Sequence, residues 1–268
     1  WQRWRLAGER LGGLMALPEE LQSGVVPVPA VTGRLEYREL RFTYPGRTRP
    51  ALDRVSFAVA PGEVVAVLAP AGAGKTTLAR HAAGLTHPDL GAVLLDGSDL
   101  RELAPRAVRR LVRVIDQTSA TFALSLSDNV ALSGSADRIR AACEAAGLAD
   151  VIASLPEGIG SERGPGGFGL SDSERHRLGL ARAFLSDAPI LVIDAALDGL
   201  AAAERRRAME VLRAGAGRSV LILTQRPAVA RVADRVIVLE AGRIVDPGTA
   251  AERTAEVPAR TGPWRDAG

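Results

Sequence analysis

The sequence predicts an α/β fold in which a sheet is covered by helices on both faces. Three observations support this prediction. Short apolar runs recur along the chain, alanine-rich helical segments separate them, and 47% of the 268 residues are hydrophobic, which is ample for a buried core. Strands that alternate with helices are typical of a mainly parallel sheet between two helical layers.

The amino-terminal half contains three predicted strands and one helix. Alternating polarity predicts a strand in RLEYRELRFTY (34–44), and VSFAVA (55–60) is a second, whereas the apolar run EVVAVLA (63–69) predicts a buried strand. The buried strand leads into a glycine-rich loop. The helix predicted for TTLARHAAGL (76–85) follows this loop and ends near Gly84.

The carboxy-terminal half continues the alternation. Strands are predicted for ILVID (190–194), SVLILT (219–224) and RVIVLEAGRIV (235–245), and helices such as AAAERRRAMEVLRAG (201–215) separate them. The segment at about 117–185 is mostly helical and interrupted by glycines. It is therefore predicted to be an inserted helical subdomain.

Composition excludes several classes of protein. The longest apolar runs are far shorter than the roughly 20 residues that cross a bilayer. The formal net charge is only +3 and 4% of the residues are aromatic, so we expect no nucleic-acid partner although the pI is about 9.7. The single cysteine, Cys143, excludes an intramolecular disulfide framework and is predicted to be a core residue of a helix at about 136–147.

The segment APAGAGKTT (69–77) contains Lys75, the only lysine of the chain. It follows the P-loop pattern G-x-x-x-x-G-K-[ST], in which glycines let backbone N–H groups approach phosphates, the lysine reaches the β and γ phosphates, and the hydroxyl ligates Mg²⁺. Ala69 replaces the first glycine, and we expect the turn to be somewhat reshaped there. The residues predicted to surround the phosphates are Ala71, Gly72, Ala73, Gly74, Lys75, Thr76 and Thr77.

Further segments resemble the nucleotide-binding domain of an ABC transporter of the exporter type, over residues 1 to about 250. Those segments are RFTYPG (41–46), similar to the A-loop; DGSDLRELAPRAVRRLVRVIDQ (96–117), similar to the stretch that ends in the Q-loop; SERG (161–164), similar to the X-loop; and LSDSERHRLGLARAF (170–184), similar to the signature motif and its helix. The implied fold is a P-loop NTPase ATP-binding domain with an antiparallel β subdomain and an inserted helical subdomain.

The resemblance implies roles for particular residues. Tyr44 would stack on adenine, although a core aromatic at a strand end explains Tyr44 alone equally well. Gln117, Thr76 and Asp194 would surround Mg²⁺. Ser171 would contact the ATP that the partner subunit holds.

Two departures from the family pattern concern hydrolysis. The Walker B strand of the family ends in Asp-Glu, where the glutamate polarises the attacking water, but here Asp194 is followed by Ala195. The family histidine that contacts the γ phosphate is replaced by Gln225, which can donate a hydrogen bond but cannot carry the charge of an imidazolium. No intact catalytic residue is therefore expected.

The signature and the D-loop also differ. LSDSE replaces LSGGQ, so that Asp172 and Glu174 would bring negative charge toward the partner's nucleotide. Two registers stay open for the D-loop: without a gap, Asp198 occupies the serine position of Ser-Ala-Leu-Asp, and with a shift it is the D-loop aspartate itself.

Together these features predict a domain that binds ATP and Mg²⁺ without efficient hydrolysis. The resemblance implies the degenerate half of a heterodimeric exporter at the cytoplasmic face of the cell membrane, with a catalytically complete second ABC subunit. The chain begins at Trp1, and we expect it to be a fragment in which residues 1–30 are a linker from its own upstream transmembrane domain and residues 31–268 are the nucleotide-binding domain.

Four alternatives remain at this point. They are a symmetric, weakly active exporter, a soluble ABC ATPase of the translation or repair type, a non-enzymatic ATP-sensing module, and a P-loop kinase. SERG and the linker-like RLAGERLGGLMALPEE count against the soluble ATPase, and the signature helix counts against the kinase.

Overall fold

The computed structural model describes residues 31–116, 120–162, 170–214 and 217–249, together with Gly8 and Gly12. The strands are β1 (Leu35–Phe42), β2 (Leu52–Val59), β3 (Val64–Leu68), β4 (Leu90–Leu95), β5 (Ser98–Asp99), β6 (Val112–Ile115), β7 (Ile190–Asp194), β8 (Ser219–Thr224), β9 (Arg235–Glu240) and β10 (Arg243–Thr249). The α-helices are α1 (Lys75–Ala82), α2 (Pro105–Leu111), α3 (Leu126–Val130), α4 (Ala136–Ala145), α5 (Ala149–Ser154), α6 (Asp172–Leu185), α7 (Ala202–Ala214) and α8 (Pro227–Ala230). Among the residues described, no helix is both long and apolar enough to span a bilayer.

The larger sheet has six strands in the order β10-β9-β3-β8-β7-β6. Strands β3, β6, β7, β8 and β9 are parallel, and β10 is an antiparallel edge strand. In β3 the side chains of Val64, Ala66 and Leu68 belong to one hydrophobic core, whereas Val65 and Val67 belong to a second core on the opposite face. This alternation buries both faces of the sheet, which explains why the interior positions of its central strands are apolar.

The smaller sheet is antiparallel and has the order β2-β1-β4-β5. Its buried face shares a core with α1 and one face of the larger sheet. The hydroxyl of Tyr37, on β1, is buried and donates a hydrogen bond of 3.1 Å to the carbonyl of Leu78 on α1. The smaller sheet therefore supports the helix that follows the glycine-rich loop.

The helical part packs on the other face of the larger sheet. Helices α3 to α6 lie within the span predicted as a helical insertion. Leu178 of α6 and Cys143 of α4 are fully buried in the core on this face, as predicted for Cys143. Residues 117–119 and 163–169, which fall within the predicted insertion, lie outside the described residues.

Two details of the predicted elements are wrong. The stretch 235–245 is not one strand, because the chain reverses at Ala241 and Gly242, whose φ values of 46° and 79° form a tight hairpin turn between β9 and β10. Strands β4, β5 and β6 were not predicted. They have two to six residues each, and tertiary pairing rather than a long apolar run defines them.

Candidate functional site

A cavity of 580 Å³ lies where the loops after β3, β7 and β8 meet. The three strands are parallel and adjacent, so their carboxyl ends open at the same edge of the sheet. The residues lining the cavity are Tyr44, Arg47, Arg49, Pro50, Ala51, Ala71, Gly72, Gly74, Lys75, Thr76, Thr77, Asp194, Ala195, Asp198 and Gln225. Most of the predicted site residues are therefore brought together in one place.

The glycine-rich loop curls around the Lys75 side chain. The Lys75 ammonium group donates hydrogen bonds of 2.9 Å to the carbonyls of Ala69 and Pro70. Gly74 caps α1 with a φ of 112°, and a Cβ at this position would lie 2.7 Å from the Ala51 carbonyl oxygen. Only glycine fits there without a shift of the neighbouring atoms. The amino end of α1 faces the cavity, and such a helix terminus is able to bind an anion.

Ala69 does not require the conformation of a glycine. It is fully buried, lies outside the left-handed region of φ, and its N–H donates a 2.9 Å hydrogen bond to the Thr224 carbonyl. The β3–β8 pairing thus continues through Ala69, and its methyl group joins the core. Ala69 directly follows the last residue of β3, and the expected reshaping of the turn stays a prediction.

Two oxygen donors lie together beside the loop. The Thr76 hydroxyl donates a hydrogen bond of 2.7 Å to Asp194, which ends β7. A hydroxyl next to a carboxylate is an all-oxygen donor set and fits Mg²⁺, which binds few protein ligands and completes its shell with water and phosphate oxygens. Thr76 and Asp194 are thus able to hold the predicted metal, while Gln117 lies outside the described residues.

Burial sets the electrostatics of the cavity floor. Burial lowers the pKa of Lys75, and the negative charges of Asp194 and Asp198 oppose this effect. Burial also raises the pKa of Asp194, against the hydrogen bond from Thr76 and the charge of Lys75. The positive charge of Lys75 therefore offsets part of the desolvation cost of each aspartate, and the two negative charges do the same for Lys75.

Tyr44 forms one wall of the cavity. Its hydroxyl is 3.1 Å from the Thr77 hydroxyl and accepts a hydrogen bond of 3.2 Å from Arg80. Its ring contacts Phe42 edge-on, with centroids 4.9 Å apart. Tyr44 thus packs against the strand end and also lines the cavity, while its stacking on adenine stays a prediction.

Ala195 and Gln225 also line the cavity. The N–H of Ala195 donates to the Leu223 carbonyl at 2.9 Å, and its φ of 56° places it in the left-handed region. Gln225 follows β8 directly and is exposed. The cavity thus has a methyl group and an uncharged amide at the two positions where the family pattern has a glutamate and a histidine.

Sequence reasoning did not place Asp198, Arg47 or Arg49 in the cavity. Asp198 is 8% exposed, and its carboxylate accepts hydrogen bonds from the Thr224 hydroxyl and, at 3.4 Å, from the Gln225 N–H. Its pKa is raised by burial, which these hydrogen bonds oppose. The two arginines follow Tyr44 closely, and a short basic run after an aromatic strand end was the signal available in the sequence.

Ser171 is the N-cap of α6 and is not among the cavity-lining residues. Ser171 and Glu174 form a capping box, in which the Glu174 carboxylate accepts a 2.6 Å hydrogen bond from the Ser171 N–H. Asp172 forms an ion pair with Arg175. Both acidic residues of LSDSE therefore already have partners within their own helix.

Comparisons with known proteins place this geometry in a family. The family model described as ABC transporter matches residues 52–198. An ATP-dependent lipid A-core flippase of Burkholderia orbicola (strain AU 1054) is 39% identical over 251 residues, which are 92% of this chain and 42% of the flippase. The flippase of the same description from Thiobacillus denitrificans (strain ATCC 25259 / T1) is 37% identical over 262 residues, or 95% of this chain and 45% of that protein.

A solved structure, described as a bacterial Atm1-family ABC exporter with ATP bound, superimposes with a TM-score of 0.80 and 28% sequence identity. The superposition covers 98% of this chain and 47% of the exporter chain. The chain thus spans less than half the length of the relatives it matches. The predicted fold is confirmed, and the chain belongs to the ABC transporter family, as a nucleotide-binding domain of the exporter type.

Proposed function

We propose that this domain binds Mg-ATP in the 580 Å³ cavity and hydrolyses it inefficiently. The observation that carries the proposal is the composition of the cavity. The phosphate-binding loop with Lys75 and the pair Thr76 and Asp194 are present, whereas Ala195 and Gln225 stand where the family has its water-orienting glutamate and its histidine.

In this proposal each group on the binding side has a distinct task. Tyr44 contacts the adenine, the backbone N–H groups of residues 72–77 surround the phosphates, and the Lys75 ammonium exchanges its carbonyl partners for phosphate oxygens. Mg²⁺, held by Thr76 and Asp194, would neutralise charge between the outer phosphates. The ancestry shared with ATP-dependent flippases supports this ligand.

We further propose that the domain works in an exporter at the cytoplasmic face of the inner membrane. Residues 1–30 would link it to its own transmembrane domain, and residues 31–268 would form the nucleotide-binding domain. Closure of two such domains around ATP would drive transport. The second subunit would be a catalytically complete ABC protein, since Ala195 and Gln225 leave this chain without the usual catalytic pair.

A symmetric, weakly active exporter is the second candidate. It is favoured by the partners of the two acidic signature residues, because Glu174 caps its own helix and Asp172 pairs with Arg175. Charges that are paired locally repel a phosphate less than free charges do.

Calorimetric titration with Mg-ATP tests the central proposal. Removing one charge-assisted phosphate contact costs roughly 2 to 3 kcal/mol, so Lys75→Ala is expected to weaken ATP binding by well over tenfold. The unmodified chain is expected to turn over slowly. Unchanged ATP affinity in Lys75→Ala contradicts the binding site, and rapid turnover by the unmodified chain contradicts the catalytic loss.

A further inference from the structure

The cavity contains a second carboxylate, that of Asp198, to which no role is assigned so far. The family pattern places two acidic residues in succession at the end of β7. In this chain Asp194 is followed by three apolar residues, and Asp198 is the next carboxylate. The cavity therefore keeps two carboxylates although position 195 has lost its own.

The backbone brings position 198 back beside position 195. Ala195 lies in the left-handed region, and its carbonyl accepts a hydrogen bond of 3.0 Å from the Asp198 N–H. A hydrogen bond from residue i+3 to residue i closes a tight turn. The turn folds the segment after β7 onto itself, and Ala195 and Asp198 both line the cavity.

Two hydrogen bonds fix the orientation of the Asp198 carboxylate. One oxygen accepts from the Thr224 hydroxyl and the other from the Gln225 N–H. Each carboxylate oxygen has two lone-pair sites, so each keeps one for a further donor such as water. The positive charges of Lys75 and Arg226 act on this carboxylate, which places it within the field of the predicted phosphate site.

We propose that Asp198 supplies the carboxylate that orients and deprotonates the attacking water in this chain's ATP site. The inference rests on the proposed function. The water oxygen forms a bond to the γ phosphorus while the bond from that phosphorus to the β–γ bridging oxygen breaks. The proton of the water passes to the Asp198 carboxylate, and the products are ADP and inorganic phosphate. The two hydrogen bonds hold the carboxylate toward the β8 segment, which is consistent with slow turnover.

The alternative role for Asp198 is a purely structural one, in which its two hydrogen bonds connect the turn after β7 to the segment after β8. The variant Asp198→Asn separates the two roles, because it keeps the size of the side chain and removes its charge and basicity. Thr224→Val is the matched control. It removes the Thr224 hydroxyl that donates to Asp198 and leaves the carboxylate itself unchanged.

The experiment combines calorimetry with Mg-ATP and Mg-ADP and single-turnover hydrolysis of ATP, using the 268-residue chain. In Asp198→Asn we expect hydrolysis to fall on the order of a hundredfold, to the level of Lys75→Ala, because a positioned base contributes this much. We expect ATP binding to tighten about threefold or more, with ADP binding unchanged, because the proposed role places Asp198 next to the γ phosphate, which ADP lacks. Thr224→Val should keep the preference between ATP and ADP seen in the unmodified chain.

Three results would overturn the proposal. The first is hydrolysis in Asp198→Asn that equals hydrolysis by the unmodified chain. The second is that each of the two variants, Asp198→Asn and Thr224→Val, changes the affinity for ATP and the affinity for ADP by the same factor. Asp198 would then have only the structural role. The third is an unmodified chain that binds Mg-ATP but turns over no faster than Lys75→Ala, which leaves the proposed ATP binding intact. Failure of the unmodified chain to bind Mg-ATP would instead refute the proposed function itself.

Discussion

The hydroxyl of Thr76 donates a 2.7 Å hydrogen bond to the carboxylate of Asp194, and so connects the first turn of α1 to the end of β7. Residues 118 positions apart in the sequence thus present adjacent oxygen atoms to one cavity. The two residues are the described part of the proposed Mg²⁺ site. Their proximity makes the metal dependence of ATP binding a direct test of the site.

Thr76→Val should reduce the gain in ATP affinity that Mg²⁺ provides. A hydrogen bond or ligand contact to a charged group contributes about 1.5 to 3 kcal/mol, so the gain is expected to fall about tenfold or more. Calorimetric titration with ATP, once with Mg²⁺ and once with a chelator, measures this gain in affinity. The matched control is Thr77→Val, because the Thr77 hydroxyl contacts Tyr44 and not Asp194. An undiminished gain in Thr76→Val would exclude this residue from the metal site.

Lys75→Arg should lose most of the ATP affinity that Lys75→Ala loses. The Lys75 ammonium is a compact charge enclosed by the loop, where it contacts two carbonyls at 2.9 Å, and a planar guanidinium is larger and needs a forked set of partners. A loss of about tenfold or more is expected from calorimetry. Affinity close to that of the unmodified chain would mean that position 75 needs only positive charge, and would leave the single lysine of an arginine-rich chain without a structural reason.

Gly74→Ala should destabilise the domain far more than Gly72→Ala. Both glycines have positive φ, but a Cβ on Gly74 would lie 2.7 Å from Ala51 and Leu52 atoms, whereas a Cβ on Gly72 would meet no atom of the described residues within 4 Å. The overpacking adds about 1 to 3 kcal/mol to the cost of the left-handed conformation that both variants share. Thermal unfolding of the two variants measures the difference. Equal melting temperatures would show that the loop shifts freely away from Ala51.

Asp198→Asn should change the pH dependence of stability without nucleotide. Burial raises the pKa of Asp198 above its ordinary 3.8, so at a pH between 3.8 and the folded-state pKa the folded protein holds a proton that the unfolded chain has released. Stability from this group is complete below 3.8 and is lost as the pH rises through the folded-state pKa. Relative to the unmodified chain, the variant should therefore gain stability as the pH rises from 3.8 through the folded-state pKa of Asp198.

Urea denaturation at several pH values measures this trend, and Asp96→Asn is the control of opposite sign. Asp96 is partly buried, which raises its pKa, but hydrogen bonds from Thr32, Gly33 and Arg34 outweigh burial and lower the pKa overall. Asp96 contributes stability that is present above 3.8 and lost as the pH falls through its lower folded-state pKa. Parallel curves for the Asp198 variant and the unmodified chain would contradict the raised pKa.

A variant with the family signature, Asp172→Gly, Ser173→Gly and Glu174→Gln, should form ATP-dependent homodimers more readily than the unmodified chain. Glu174 already occupies the Ser171 N–H, and its charge opposes an incoming phosphate at the end of α6. Glu174→Gln alone is the matched control, because its amide oxygen is still able to cap the helix without the charge.

The amount of homodimer is measured from the size of the protein in solution with Mg-ATP, with and without the proposed second subunit. We expect little homodimer of the unmodified chain, an intermediate amount for Glu174→Gln and the largest amount for the triple variant. Stable ATP-dependent homodimers of the unmodified chain, no tighter in the triple variant, would favour the symmetric exporter and contradict the electrostatic argument.

The sequence by itself determined the α/β class, the P-loop pattern, and the residues Ala195 and Gln225 at the positions that the family resemblance assigns to catalysis. These features lie within short segments, because a P-loop is continuous between β3 and α1, and Asp194-Ala195 and Gln225 each follow an apolar strand directly. Hydrophobic runs and local spacing therefore identify them without knowledge of contacts.

Only the tertiary structure decided what lies between these segments. Asp198 approaches Thr224 and Gln225 because β7 and β8 are parallel neighbours. These two contacts join residues that are separated by 26 and 27 positions in the sequence, so no local pattern predicts them. The position of Ala69 likewise depends on a hydrogen bond to Thr224, a residue far away in the sequence. Short sequence segments determine the local chemistry. The set of side chains that share one cavity depends on strand order, which long-range packing selects.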